Sequence, residues 1–403
     1  MRILFVNHTS TVGGAEQGLL RLVNGLKATH EVAVACPGTG ALRERVEAAG
    51  VDSLAVPAFE ASLRLNPVQT PVGLARLGAG SLALVRLIRR FGADLVHANT
   101  PRAGLMCALP RRLGGPPLVV HVRDDLPLNR VGRGVRFALS HSADGVVAVS
   151  DYTARRFNDG LTHPIATRVY NSIDLERFDP ERVASSPLRE ELGIPPEARL
   201  LAQVAQITPW KGQDTAIRTV AGLRRRGLDA HLLIVGGVTF GGRNVRHDNH
   251  AFLRSLHGLA EELDVGDAVH FLGPRDDVPG ILRVVDLSLL PSVNEPFGRA
   301  IVESMAIGTP PLVGDVGSGP ELVDDGVSGR LLAPDRSEQW VEAAHELLVD
   351  PAALARMGAR ARERAAAFGD DAQVRDVLAV YARVLGRPEK TVSGGSPEVV
   401  SWR

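Results

Sequence analysis

Two glutamates, Glu295 and Glu303, stand eight positions apart in "PSVNEPFGRAIVESMAIGTPPLVGDVGSGPELVDDGVSGRLL" (291–332). An apolar run ends at Pro291, a polar loop follows, and the pattern predicts a helix opening near Phe297–Gly298. Glu295 then lies in the loop, and Glu303 lies more than a turn inside the helix. The first turn of such a helix leaves backbone N–H groups unpaired and carries the positive end of the helix dipole. It therefore suits a phosphate or diphosphate. Gly298 lets the backbone approach a ligand closely, and Gly314, Gly317 and Gly319 form a second turn able to wall the same cleft. Lys211 is one of three lysines among 46 basic residues, with Lys27 and Lys390. Its compact ammonium suits a point-charge contact with phosphate. His121 ends an apolar run and precedes "RDD"; taken alone, a strand-end histidine is more often structural than functional. Asp124 and Asp125 read as partners of nearby arginines, with an acid–base role as the second reading. His97, Asn99 and Arg102 close a neighbouring run on the same side, where ligands bind in parallel sheets. His247 and His250 fall in a glycine-rich stretch with no third metal ligand and read as a solvated loop.

These residues need strands and helices to hold them. Near-continuous apolar runs at 3–6, 31–36, 52–56, 94–98, 118–122, 145–149 and 167–170 read as parallel strands covered on both faces. Helical patterns fit 15–28, 41–50, 81–91 and 133–142. The rhythm stops at 179–199, where four prolines and a polar composition mark a linker. It resumes with strands at 200–205, 230–236, 268–273, 286–291, 310–314 and 329–333. Helices fit 213–227, 249–263, 298–307, 337–348 and 351–366. The expectation is an α/β protein of two Rossmann-like, doubly wound parallel-sheet domains, 1–184 and 185–371, with a disordered tail over 388–403.

A chain of 403 residues accommodates two such domains. Apolar residues make up 44% of it, which excludes intrinsic disorder, coiled coil and collagen-like classes. Balanced charge, 46 basic against 46 acidic, argues against general nucleic-acid binding. The charge is unevenly placed: residues 1–180 carry 21 basic and 15 acidic side chains. Seven arginines lie within 102–136 (Arg102, Arg111, Arg112, Arg123, Arg130, Arg133 and Arg136). This face could meet an anionic acceptor or an anionic membrane, or be a solvated surface balanced elsewhere in the fold. Cys36 and Cys107 make no CxxC pair, so neither a disulfide framework nor structural zinc is expected. No export signal or membrane span is apparent, and the expected location is cytoplasmic, with peripheral contact at the inner membrane face as an option.

The segment 291–332 resembles the family 4 glycosyltransferases, retaining enzymes of the GT-B fold whose signature is a glutamate, seven residues and a second glutamate. Further similar segments are "NHTSTVGGAEQ" (7–17), "HVRDD" (121–125), "VVAVSDYTARRF" (146–157), "VYNSIDLERFDP" (169–180) and "QVAQITPWKGQDTAI" (203–217). The likeness spans residues 1–386. It implies an interdomain cleft, with the donor on the second domain, the acceptor on the first, and a helix near 372–386 crossing back. By position it implies that Glu303 holds the nucleotide ribose, Glu295 and His121 the transferred sugar, and Lys211 the diphosphate. Gly14 would approach the phosphate side, and the backbone of Phe297, Gly298, Arg299 and Ala300 would hold sugar and phosphates. Asn99, Arg102 and Arg123 are acceptor-side candidates. The family's usual arginine is replaced by Gln206, and its usual "FGL" reads "FGR", so Arg299 is expected to compensate. The implied partners are a nucleoside-diphosphate sugar, UDP favoured, and a hydroxyl acceptor of unknown identity. No metal or other cofactor is expected; the chain has no D-x-D motif. The competing reading is a catalytically silent relative that binds nucleotide sugar as a sensor or subunit.

Overall fold

The structure is a computed structural model that describes residues 1–59, 69–238 and 248–386, the side chains of 69–71 and 74 excepted. The predicted tail and His247 lie outside the described residues.

Two parallel sheets carry the molecule. The first contains β1 (Arg2–Val6), β2 (Glu31–Pro37), β3 (Asp52–Val56), β4 (Leu95–Ala98), β5 (Leu118–Val122), β6 (Gly145–Ala148) and β7 (Ala166–Arg168), in the order β3-β2-β1-β4-β5-β6-β7. The second contains β8 (Arg199–Val204), β9 (Ala230–Val235), β10 (Val269–Gly273), β11 (Leu287–Leu290), β12 (Pro311–Gly314) and β13 (Arg330–Leu332), in the order β10-β9-β8-β11-β12-β13. Every named strand pair is parallel. Apolar side chains of β1, β4, β5 and β6 alternate between two cores. Leu4, Val6, Val96 and Val120 face one, and Ile3, Phe5, Leu95, Val119 and Val147 face the other. Burial on both faces explains why these strands read as unbroken apolar runs.

Strand order reverses between β1 and β4 in the first sheet and between β8 and β11 in the second. Ligands of doubly wound sheets sit beyond the strand ends at such switch points. The chain leaving β1 reaches His8 and Gly14, and that leaving β4 reaches Asn99. The chain leaving β8 reaches Gln206 and Lys211, and that leaving β11 reaches Glu295.

The helices differ from expectation in instructive ways. The helix expected at 81–91 starts at Gln69 and ends at Phe91. Helices Pro101–Arg112 and Asp151–Asn158 appear where none was predicted. The first is capped by Thr100, whose Oγ1 accepts the Ala103 N–H at 3.2 Å, with Pro101 in its first turn. Pro110 and Gly104 inside it masked the helical pattern. The helix expected at 372–386 runs Asp370–Val384 and packs against the Gly14–Leu26 helix and β6, in the first half of the molecule.

Candidate active site

Lys211 and Glu295 come from different elements yet meet. Lys211 ends the short 3-10 turn Pro209–Lys211 after β8, and Glu295 lies in the loop after β11. Lys211 Nζ donates to Glu295 Oε2 at 2.6 Å, and Ser292 Oγ donates to the same oxygen at 3.1 Å. Glu295 is 7% exposed, so the pair is shielded and held by geometry rather than solvated. Two glycines make the approach possible. Gly212 has φ +68, and any side chain there would collide with the Pro291 carbonyl; Gly317 has φ +61, and a Cβ there would collide with the Glu295 carbonyl. Main-chain bonds fix the rest: Val293 N to Trp210 O at 2.9 Å, and Ser318 N to Glu295 O at 2.9 Å.

Gly298, in the left-handed conformation at φ 75, caps the helix Arg299–Ile307, so the N–H groups of Arg299 and Ala300 open that helix. Glu303 is buried one turn in, and Arg299 reaches it with Nη2 to Oε1 at 3.1 Å. Arg299, expected to compensate for Gln206, engages through its guanidinium the glutamate that the family resemblance assigns to the ribose. Gln206 is half-buried in the turn after β8, and its carbonyl accepts Gln213 Nε2 at 2.8 Å.

The facing residues come from the first sheet. Gly14 opens the helix Gly14–Leu26, and a Cβ there would meet nothing within 4 Å. That open approach is what close contact with a ligand needs. Glu16 accepts from Gly13 N at 3.0 Å and Asn7 Nδ2 at 3.2 Å. Asn99 is fully buried: its Nδ2 donates to Asn7 Oδ1 at 3.0 Å, and its Oδ1 accepts Arg123 Nε at 2.8 Å. Arg123 Nη1 donates to Asn171 Oδ1 at 2.6 Å, while Nη2 is buried with no hydrogen-bond partner among the described residues. Burial pushes this guanidinium down to about 10. Arg102, in the first turn of Pro101–Arg112, is also lowered by burial. Burial, then the Arg102 charge, lowers His8 to about 4, and Thr100 Oγ1 is 3.0 Å from His8 Nδ1.

His121, the penultimate residue of β5, is fully buried, and its Nδ1 lies 3.2 Å from His97 Nε2. Its own Nε2 is buried without a partner among the described residues. Asp125 takes a bidentate contact from Arg156 at 2.9 and 2.7 Å, as the arginine-partner reading expected. The seven-arginine face divides. Arg123 and Arg136 are buried, Arg111 grips Asp144 at 2.6 Å, and Arg112, Arg130 and Arg133 are exposed. His250 is exposed on the helix Asn249–Glu262. Among the described residues, no group of three or more His, Cys, Asp or Glu could hold a metal ion.

Sequence reasoning missed Glu321, whose carboxylate accepts Asp151 N at 2.7 Å and Tyr152 N at 2.6 Å and so ties the second half to the first. Burial raises its carboxyl above the usual range. It also missed Asn171 and Tyr381. Tyr381 had a compositional signal, being one of three tyrosines in the chain.

Two doubly wound parallel sheets, the second bearing a lysine–glutamate pair beside an open helix terminus, have the architecture of the GT-B class of two-sheet glycosyltransferase. The comparisons agree. The model of "Glycosyl transferases group 1" matches residues 185–364, and that of "Glycosyltransferase Family 4" matches residues 12–177. D-inositol 3-phosphate glycosyltransferase of Saccharomonospora viridis is 32% identical over 72% of this chain and 70% of its own. The Corynebacterium glutamicum enzyme of that name is 30% identical over 86% and 84%. Among solved structures, Anabaena HepE in complex with UDP superposes with a TM-score of 0.80 at 24% identity, covering 95% of this chain and 100% of that one. WaaG, a lipopolysaccharide-biosynthesis glycosyltransferase, gives 0.67 at 20% identity, covering 92% and 98%. The chain belongs to the family 4 glycosyltransferases.

Proposed function

We propose that the protein is a retaining, metal-independent hexosyltransferase that moves a sugar from a UDP-sugar to a hydroxyl of an anionic acceptor. The observation that carries this reading is the Lys211–Glu295 contact at 2.6 Å beside the Gly298-capped helix terminus. Lys211 and the N–H groups of Arg299 and Ala300 supply the positive field that a departing diphosphate needs. Glu303 takes the ribose hydroxyls once Arg299 turns from it to the phosphates. Glu295 and His121 hold the sugar, and Gly14 gives the phosphates backbone access. The C1–O bond to the diphosphate breaks, the acceptor oxygen attacks C1 from the same face, and its proton passes to the leaving phosphate oxygen. With its charge met by protein groups, the reaction needs no divalent cation. HepE has been crystallised with UDP-glucose as well as with UDP, which supports the UDP preference.

The orphaned Nη2 of Arg123, with Arg102 nearby, supports an acceptor that bears a negative charge, as D-inositol 3-phosphate in the relatives' name does. Asn99 serves by bracing Arg123. Exposed Leu113, Leu128 and Phe137 beside Arg112, Arg130 and Arg133 support peripheral contact with an anionic membrane from the first half. No described helix is long and apolar enough to cross a membrane.

Thermal-shift measurements with UDP, GDP and their sugars test the donor. Transfer to inositol, inositol phosphate and glycolipid acceptors, with EDTA added and the anomeric configuration read by NMR, tests the reaction. UDP-sugar binding without turnover on any acceptor would support the silent-relative reading, and a larger shift with GDP would overturn the donor assignment.

A further inference from the structure

Three buried groups run in line from the crossing helix to the candidate sugar site. Tyr381 Oη on Asp370–Val384 lies 2.6 Å from His97 Nδ1, and His97 Nε2 lies 3.2 Å from His121 Nδ1. Tyr381, His97 and His121 are each fully buried. Phe5 lies against one side of His97, with ring centroids 4.9 Å apart. No other hydrogen-bonding partner of the Tyr381 hydroxyl is found among the described residues.

Hydrogen-bond chemistry gives this line a direction. Burial holds the Tyr381 phenol in its protonated form, well above its usual range. A buried O–H must find an acceptor, and His97 Nδ1 is the one in reach. Burial, reinforced by the Arg123 charge, lowers His97 to about 3, so the ring is neutral and carries one proton. With Nδ1 accepting, that proton sits on Nε2 and is donated to His121 Nδ1. His121, also neutral by burial, must then carry its own proton on Nε2. That Nε2 is buried and lacks a partner among the described residues. An N–H donor kept dry and unpaired is costly unless a ligand oxygen completes it.

We propose that Tyr381 and His97 are positioning residues that lock His121 as an Nε2–H donor to a hydroxyl oxygen of the transferred sugar. The chain of bonds makes His121 a hydrogen-bond donor and denies it a role as a general base. It also couples the site to the helix Asp370–Val384, which packs on the Gly14–Leu26 helix. The sugar contact rests on the transferase reading; the tautomer does not.

Long-range proton–nitrogen NMR on histidine-labelled protein tests the lock, with His97→Gln and His121→Asn variants assigning the two rings among 12 histidines. In the ligand-free wild type, His121 should show the Nε2–H tautomer; an Nδ1–H tautomer overturns the proposal whether or not any substrate is turned over. Tyr381→Phe should mix the two tautomers at His121 and lower kcat about tenfold, the loss of one oriented hydrogen bond, with donor KM unchanged. Val377→Ala is the control: it removes core contacts from the same helix and should leave both the tautomer and kcat as in wild type. UDP-glucose or UDP-N-acetylglucosamine should move the His121 Nε2–H resonance where UDP alone does not. A tautomer insensitive to Tyr381→Phe, or equal loss of kcat in Val377→Ala, overturns the positioning role. Failure of both nucleotide sugars to bind would count against the donor reading and leave the tautomer result decisive.

Discussion

At the scale of single residues, the site is built from charges that the fold has already partnered. Lys211 holds Glu295, and Arg299 holds Glu303. Removing Lys211 strands a carboxylate that is largely out of water, so Lys211→Ala should cost about 1–3 kcal/mol of stability as well as donor affinity. Glu295→Gln keeps shape and hydrogen-bonding capacity and should lose turnover with little change in melting temperature. Thermal denaturation beside isothermal titration with UDP separates these effects; a Lys211→Ala protein that binds UDP as wild type does would remove the lysine from the phosphate site. His8 supplies a pH test. Its folded value of about 4 lies below the ordinary 6.5. The unfolded chain therefore binds the proton first as pH falls. The stability contributed by neutral His8 is whole above 6.5 and is lost between 6.5 and about 4, at up to about 1.4 kcal/mol per pH unit. His8→Asn should flatten the melting-temperature profile across that window. A profile as steep as that of wild type would show that His8 is not buried neutral.

At the scale of elements, the strands were legible because each carries its evidence locally. A parallel strand covered on both faces is an apolar run, and every strand predicted has a counterpart in one of the two sheets. Helices were harder where burial overrides amphipathicity. Pro101–Arg112 buries Pro101, Ala103, Gly104, Met106, Cys107 and Pro110, so its sequence shows neither a clean stripe nor an unbroken helix former. Of the candidate site, Glu295, Glu303 and Lys211 stood out by residue type, spacing and place in the pattern, whereas His121 entered through the family resemblance, since a strand-end histidine alone reads as structural. Glu321, Asn171 and Tyr381 were not, because their partners lie 169, 48 and 284 residues away and no local period encodes such distances. The turn after β8 is the element most exposed to test. Gly212 holds φ +68 under the Pro291 carbonyl, and Gly212→Ala should cost about 2 kcal/mol or more. It should also pull Lys211 from Glu295. Wild-type stability with intact UDP binding would show that the turn tolerates a side chain.

At the scale of the whole molecule, the two sheets are joined beside the candidate site. Ser150 Oγ donates to Pro296 O at 2.6 Å, Tyr152 Oη to Asn294 Oδ1 at 3.2 Å, and Glu321 caps the helix Asp151–Asn158 through Asp151 N and Tyr152 N. All three contacts link the strand end after β6 to the turns after β11 and β12, beside Glu295. The carboxylate at that helix terminus meets the positive end of the dipole and two unpaired N–H groups at once. A clasp so placed couples the geometry of the Glu295 loop to the relation between the halves, which on the proposed reading must align two substrates. Glu321→Ala leaves two part-buried N–H groups without this acceptor and should cost about 1–3 kcal/mol. The loss should appear as a lower and broader calorimetric transition, splitting toward two as the halves uncouple. Glu321→Gln, which keeps one carbonyl acceptor, should fall between. UDP should bind Glu321→Ala nearly as well as wild type, because all of its proposed contacts except Gly14 come from the second half, while turnover falls because acceptor and donor no longer meet in register. Unchanged turnover with a lowered melting temperature would reduce the clasp to a structural strut; unchanged values of both would mean that the halves are held together elsewhere.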